Sequence, residues 1–329
     1  MAMKVLVTGT SGHLGEALAR SLAARGDVVA GLDRMPSAFT SHVGDINDAE
    51  LVREAVCGAR AVLHAATLHK PHVSTHPRRA FIEVNVAGTL SLLEAAIEAG
   101  VESFVFTSTT SVFGEAMRPT PGAPAVWVDE RLRPAPRNIY AATKFAAEQL
   151  CGMARREAGL ATIILRTSRF FPEMDDDPVQ AAAYAPDNLK LNEFLHRRVD
   201  IEDVVSAHLL AAERAAGAGT GPFVISATSP FRRGDLTELA RDAPAVLSRR
   251  VPEWREAYAG LGWRAPPVIE RVYVNAAARR ALGWRPRHDF RSMLALAESD
   301  QPPASALAGS IGAKGYHRDR QAKDSVIAE

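Results

Sequence analysis

Eight residues near the start of the chain, TGTSGHLG at 8–15, restrict its fold more than any other segment. A β-rich run, KVLVT at Lys4–Thr8, leads into them. Leu14, Ala17, Leu18 and Leu22 follow at helical spacing over 14–25, and Gly26 stands where a helix C-cap belongs. Glycines at 9, 12 and 15 allow a tight turn and bring backbone N–H groups close to an anion at the helix N-terminus, where the dipole favours negative charge. Asp33 closes the next strand-like run, 28–32, and lies 18 residues beyond Gly15. That is the distance at which a carboxylate accepts from the adenosine ribose hydroxyls of a dinucleotide. The segment predicts such a site, with Gly9, Ser11, Gly12, His13, Leu14 and Gly15 at the pyrophosphate and Asp33 at the ribose. A carboxylate there repels the 2′-phosphate of NADP and favours NAD, while Arg34 is the neighbour able to accept that phosphate instead.

The pattern that follows fits this start. Helical spacing over Ala49–Val56, 79–99 and 138–159 alternates with strand-like runs at Ala61–His64, 103–107 and 161–165. Strict alternation predicts an α/β fold, a doubly wound parallel sheet with helices on both faces. Five prolines between 115 and 137 predict a loop there, and a long loop in a compact domain is usually functional. The stretch 170–197 reads as irregular, with an Asp175-Asp176-Asp177 run. A helix over 200–216 and a last strand at 223–226 return to the sheet. The expected layout is a dinucleotide-binding domain at 1–168, a smaller substrate-binding region at 169–299 and a flexible tail at 300–329. Trp254, Trp263 and Trp284 are expected in the core of the smaller region.

With 329 residues, 47% apolar and 23% charged, the chain can bury a full core without staples. A net charge of +1 gives no field drawing it to nucleic acid or an anionic membrane. Two distant cysteines, Cys57 and Cys151, form no CxxC pattern and fit a reducing compartment. No apolar run approaches the roughly 18 residues of a membrane span, and MAMKVLVTG passes directly into a strand, so the expected location is the cytoplasm.

Tyr140 and Lys144, in YAATK, lie four apart on one helix face. A cation close to a phenol lowers its pKa, so Tyr140 is expected to take the proton of a substrate alcohol as hydride leaves the same carbon. The hydroxyl cluster about 30 residues upstream, TSTTSVFG at 107–114, accompanies this pair. With TGTSGHLG, Gly44-Asp45-Ile46, LHAAT at 63–67, NVAGT at 85–89, DIEDVVSAH at 200–208 and LGWRPRHDF at 282–290, the chain resembles extended short-chain dehydrogenases/reductases of the NAD-dependent epimerase/dehydratase type from Met3 to about Ala297.

The resemblance implies a Rossmann fold and NAD as cofactor. It implies that Asp45 and Ile46 border the adenine, that Ala65, Ala66, Asn85, Thr107, Tyr140 and Lys144 also meet the cofactor, the Lys144 ammonium at the nicotinamide ribose, and that Thr109 holds the reacting oxygen, with Ser108 and Thr110 as its near neighbours. It places the 69–77 loop beside nicotinamide and substrate, making His69, His72 and Ser74 candidate substrate contacts together with Thr109 and Ser111. Arg169 and Arg198 are candidate anion clamps, Arg169 standing near where nucleotide-sugar epimerases carry a phosphate-holding Asn; the alternative for Arg169 is pairing with Asp175–Asp177. The alternative for Arg197-Arg198 is solvated surface. A metal is not expected: His64, His69, His72 and His76 are loosely spaced, with no acidic ligand nearby. A homodimer through the 79–99 and 138–159 helices is implied.

The leading expectation is an epimerase of a sugar or nucleotide sugar, similar to UDP-glucose 4-epimerase, working by transient hydride transfer. The alternatives are a net dehydrogenase or reductase of a sugar, sugar acid or other secondary alcohol, and a non-catalytic NAD-binding regulator. Dehydration is set aside because Thr110 and Ser111 occupy the places where dehydratases carry an acid.

Overall fold

A computed structural model of the chain describes residues 2–173 and 182–314. Its centre is a parallel sheet of β1 (Lys4–Thr8), β2 (Val28–Asp33), β3 (His42–Val43), β4 (Ala61–His64), β5 (Ser103–Thr109), β7 (Ala161–Thr167) and β8 (Phe223–Ile225), in the order β3-β2-β1-β4-β5-β7-β8. The order reverses between β1 and β4, which opens a crevice at the carboxyl ends of the strands, where ligands bind in open sheets. Because both faces are covered, the central strands are apolar on both sides: β1, β4 and β5 are almost fully buried.

On one face α1 (His13–Ala24) and α6 (Ile201–Arg214) pack on Val5, Val7, Leu63, Val105 and Leu165. On the other, α2 (Ala49–Val56), α3 (Arg78–Glu98) and α4 (Ile139–Ala158) bury Val52, Leu92, Leu93, Ala147 and Cys151 against Leu6, Val62 and Phe104. The helix starts are written locally. Asp48 accepts from the Glu50 and Leu51 N–H groups, Asn138 from that of Ala141 and Asp200 from that of Glu202, each satisfying orphan donors of a first turn. α3 carries a π turn at Glu83–Ala87. By length and mean hydropathy α3 could cross a membrane, contrary to the expectation that no segment reaches that length; in the fold it lies with Leu92, Leu93 and Ala96 in the core.

The smaller region is built on α5 (Pro186–Phe194), α7 (Ala243–Arg250), α8 (Trp254–Leu261), α10 (Phe290–Glu298) and a two-stranded parallel sheet of β6 (Val126–Val128) and β9 (Arg271–Tyr273), while α9 (Ala276–Ala281) returns to the main core beside β8 through Ala278. Several expectations are corrected here. α5 falls inside the stretch read as irregular, its polar face having masked the period: Asn188 and Asn192 are buried through hydrogen bonds to the Arg264 carbonyl. β6 lies inside the proline-rich loop, paired away from the main sheet. Trp254 and Trp263 do join the small core, but Trp284 packs beneath the main sheet with its Nε1 donating to Ser206. The first part of the expected tail is ordered packing: α11 (Ala306–Ile311) buries Ile311 in the main core, and Ser305 donates to Asp200 over 2.6 Å. Residues 315–329 lie outside the described residues, as does the acidic run 175–177.

Candidate active site

A cleft of about 700 Å³ runs along the carboxyl ends of the strands. Its first half is the glycine turn. Gly9 has φ +79°, and a Cβ there would meet the Ala66 nitrogen at 2.9 Å. A Cβ on Gly15 would stand 1.9 Å from the Gly9 carbonyl oxygen. The turn and α1 therefore approach so closely that only glycine fits, which leaves the first amides of α1 open to an anion. Asp33, at the end of β2, accepts from Ser11 N and Met35 N, both at 2.9 Å. Gly12, His13, Leu14, Asp45, Ile46, Ala65, Ala66 and Thr107 all line this half, and Arg34 is largely exposed, 3.8 Å from Asp45. A cradle without side chains, a helix N-terminus and a carboxylate at the next strand end fit a dinucleotide.

Asn85 is not on the wall. It is 1% exposed, accepts from Leu68 N and Thr67 Oγ1, and donates to the Leu68 carbonyl and Thr143 Oγ1. It ties the loop after β4 to α4 from behind, and the π turn of α3 is what aims it there. Thr8 supports the same loop from the other side, accepting from the amides of Ala65 and Ala66 and meeting His64, whose burial holds its pKa well below the usual histidine value.

Midway, Thr109 ends β5 and Tyr140 stands in the first turn of α4, both on the cleft wall. Thr109 is the hydroxyl whose influence favours the ionised Tyr140 phenol, and its own Oγ1 accepts from Ser111 N at 3.1 Å. Ser108 turns inward to Glu148, and Thr110 and Ser111 line the cleft. The expected activation of the phenol is not a property of the pair as it stands. Burial pushes Tyr140 up to about 12, outweighing the lowering influence of the Thr109 hydroxyl. Lys144 lies behind the wall, 2% exposed, with Nζ 3.9 Å from the centre of the Phe106 ring. Burial lowers it to about 7, against the pull of Cys151 and Glu148.

The far half is lined by the 68–72 loop, Ser168 to Phe171, Arg197, Arg271 and Tyr273. His69 stacks on Phe171 at 5.4 Å and packs edge-on to His72 at 4.5 Å, so both histidines reach the cleft. Ser74 does not. It is exposed, donates to the Pro71 carbonyl and ends the short turn that presents His72. Arg169 lines the cleft, but its guanidinium donates to the Glu173 carbonyl at 2.6 Å and lies 3.8 Å from Glu193. Its expected alternative partners, 175–177, fall outside the described residues. Arg198 is a correction: its backbone bridges Arg169 in parallel, which turns the side chain inward to Glu193 at 2.7 Å and the Phe171 carbonyl at 2.5 Å. Its neighbour Arg197 takes the cleft side, since successive side chains of an extended segment point opposite ways.

Sequence reasoning missed Phe171, Glu173, Arg271 and Tyr273. Glu173 meets His13 at 3.0 Å in front of the glycine turn. Burial alone would raise it, but the His13 bond and charge and the Lys314 amide hold it at about 2. β9 is three residues long, too short to show a period, and no local signal could have marked Arg271.

Residues 5–226 match the NAD dependent epimerase/dehydratase family. A 3-beta-hydroxysteroid dehydrogenase of Mycolicibacterium neoaurum is 30% identical over 90% of both chains. A 2-alkyl-3-oxoalkanoate reductase of Stenotrophomonas maltophilia is 35% identical over 82% of this chain and 83% of its own. The structure of UDP-glucose 4-epimerase of Thermus thermophilus in complex with NAD has a TM-score of 0.60 at 25% identity, covering 90% of this chain and 98% of that one. With the match spanning the glycine turn, Thr109, Tyr140 and the last strand of the main sheet, the chain belongs to the NAD-dependent epimerase/dehydratase family.

Proposed function

We propose that this protein is an NAD-dependent oxidoreductase that interconverts a secondary alcohol and its ketone and releases the product after one hydride transfer. The observation that carries this is the state of the expected nucleotide clamps. Arg198 is spent on Glu193 and the Phe171 carbonyl, and Arg169 on the Glu173 carbonyl. A substrate diphosphate would have to break those bonds to be held by them. The two relatives above with 30% identity or more over most of the chain carry dehydrogenase and reductase names, which supports the same reading.

The glycine turn and the α1 N-terminus would hold the pyrophosphate, and Asp33 the adenosine ribose. The cofactor supplies the hydride acceptor. Tyr140 is the proton-transfer group, hydrogen-bonding the substrate oxygen beside Thr109, which keeps that oxygen at the phenol. Lys144 is a positioning residue under α4 whose charge acts on the site from behind Phe106. His69 and Phe171, stacked on each other, give the far half an aromatic wall.

The epimerase reading has its own support in the fold shared with UDP-glucose 4-epimerase of Thermus thermophilus. Release of the nucleotide from purified protein separates the two. A site that exchanges added NAD and forms free NADH in step with ketone supports the oxidoreductase. Stoichiometric NAD retained through purification, with UDP-glucose turned over and no net NADH, would overturn it in favour of the epimerase. We also infer a cytoplasmic homodimer through α3 and α4, supported by the exposed Ile82 and Ile97 on α3; sedimentation of a monomer would remove the dimer.

A further inference from the structure

The far half of the cleft holds a cation and a hydroxyl that the bonds described above leave unused. Arg271 projects from β9, anchored because its carbonyl meets His196 Nδ1 at 3.0 Å and the next strand position pairs with Trp127. Its Nε is buried without a hydrogen-bond partner, and its side chain makes no ion pair among the described residues. His196 beneath it cannot share the charge, since burial and the adjacent Arg197 and Arg271 keep its pKa well below the usual histidine value. Ser168, 3% exposed at the end of β7, likewise lines the cleft with a buried Oγ that has no partner. A buried donor left unmade costs about 1–3 kcal/mol, so both groups favour a polar ligand at this end. Among the described residues lining the cleft the carboxylates are Asp33 and Asp45, both at the opposite end.

Resting on the oxidoreductase reading, we propose that Arg271 receives the carboxylate of the substrate, making the substrate a hydroxy acid or its keto acid, with the Ser168 hydroxyl as a second hydrogen-bonding group. One guanidinium with a rigid backbone matches one carboxylate in a bidentate fork. A diphosphate would need further cations, and Arg169, Arg197 and Arg198 share the single carboxylate of Glu193.

The test is calorimetric titration of NAD-saturated protein with 3-hydroxybutanoate, 3-hydroxyhexanoate and 3-hydroxydecanoate, with the methyl ester of each, and with UDP. At least one acid is expected to bind ten-fold or more tighter than its ester. Arg271→Gln should cost that acid about 10- to 100-fold, the worth of a charge-assisted hydrogen bond, and leave the ester and NAD unchanged; Arg271→Lys should restore part of the loss. Acid and ester bound equally, no acid bound, or an Arg271→Gln variant that binds the acid as wild type would each overturn the proposal. UDP bound tighter than every acid and lost in Arg271→Gln would overturn it by assigning the cation to phosphate. NADH formation is followed in parallel. Arg271-dependent acid binding without NADH formation keeps the carboxylate site and sinks the oxidoreductase; NADH formed equally from acid and ester does the reverse.

Discussion

The Lys144 ammonium sits 3.9 Å from the centre of the Phe106 ring, behind the cleft wall on which Tyr140 stands. The lysine that the YAATK spacing pairs with the tyrosine is thus held against an aromatic face inside the core, at a pKa of about 7.

That placement has a signed consequence for stability. Unfolded lysine titrates near about 10.4, so between about pH 7 and pH 10 the unfolded chain binds more protons than the fold, and stability rises with pH. The cost is fully present below about pH 7, where Lys144 is charged in both states. Lys144→Met removes this titration. In thermal melts of cofactor-free protein, the variant is expected to exceed wild type near pH 6.5 and the gap to close toward about pH 10. Parallel melting curves over that range would show that the ammonium is not buried as the structure has it.

Tyr140→Phe deletes one oxygen in a wall that is otherwise kept. The rate of NADH formation should fall by about 10²- to 10⁴-fold, with NAD affinity unchanged in fluorescence titration. Thr109→Ala should fall between wild type and that variant, and Thr110→Ala should be mild although its side chain also lines the cleft. A silent Thr109→Ala beside a severe Thr110→Ala would move the oxygen-holding role one residue on.

How much of this was legible differs from element to element for physical reasons. Lys4–Thr8, Ala49–Val56 and Ala61–His64 occur as read, because apolar runs and side-chain caps are local. Asp33 and the glycine turn were legible because their chemistry lies within one βαβ unit. Arg197 against Arg198 was not, since a parallel bridge to a strand end 29 residues earlier decides which side chain faces the cleft. Asn85 and Lys144 carry family motifs yet stand behind the wall, because burial depth is set by packing between helices and sheet. The spacing of Tyr140 and Lys144 says nothing of depth, and it is desolvation by burial that raises the phenol, against the lowering influence of Thr109.

Asp33 predicts cofactor choice. Its two oxygens accept from Ser11 N and Met35 N, so the carboxylate is fixed where a ribose hydroxyl would meet it, and Arg34 points to Asp45 at the surface. NAD should bind at least ten-fold tighter than NADP, and Asp33→Ser should narrow the ratio by lifting repulsion of the phosphate. Equal affinities in wild type would mean that Arg34 swings to the ribose.

Gly15→Ala puts a methyl 1.9 Å from the Gly9 carbonyl and 2.8 Å from Thr10 N, both backbone atoms that cannot step aside without opening the turn. Loss of detectable NAD binding is expected, with a stability loss of about 1–3 kcal/mol in urea titration, the usual cost of overpacking. Retained NAD affinity would show that α1 shifts as a body.

Beneath the reactive hydroxyls, Glu148 accepts from both arms of Arg166 at 2.9 and 2.7 Å and from Ser108 at 2.5 Å, and the guanidinium lies 4.8 Å from the Phe113 ring. The two charged side chains are 4% and 2% exposed, so neither has water as an alternative partner. Glu148→Gln keeps the shape but leaves Arg166 as a buried uncompensated cation, which typically costs about 3–5 kcal/mol. Urea unfolding should show a loss of that order, and replacing both residues, Arg166→Met with Glu148→Leu, should cost less than Glu148→Gln alone because no charge is stranded. The pair also holds Ser108, the residue before Thr109, so the single variant should lower kcat more than it raises KM. A stability loss under about 1 kcal/mol, or a double variant worse than the single one, would mean that Arg166 finds water or another acceptor and that the pair does not brace the end of β5.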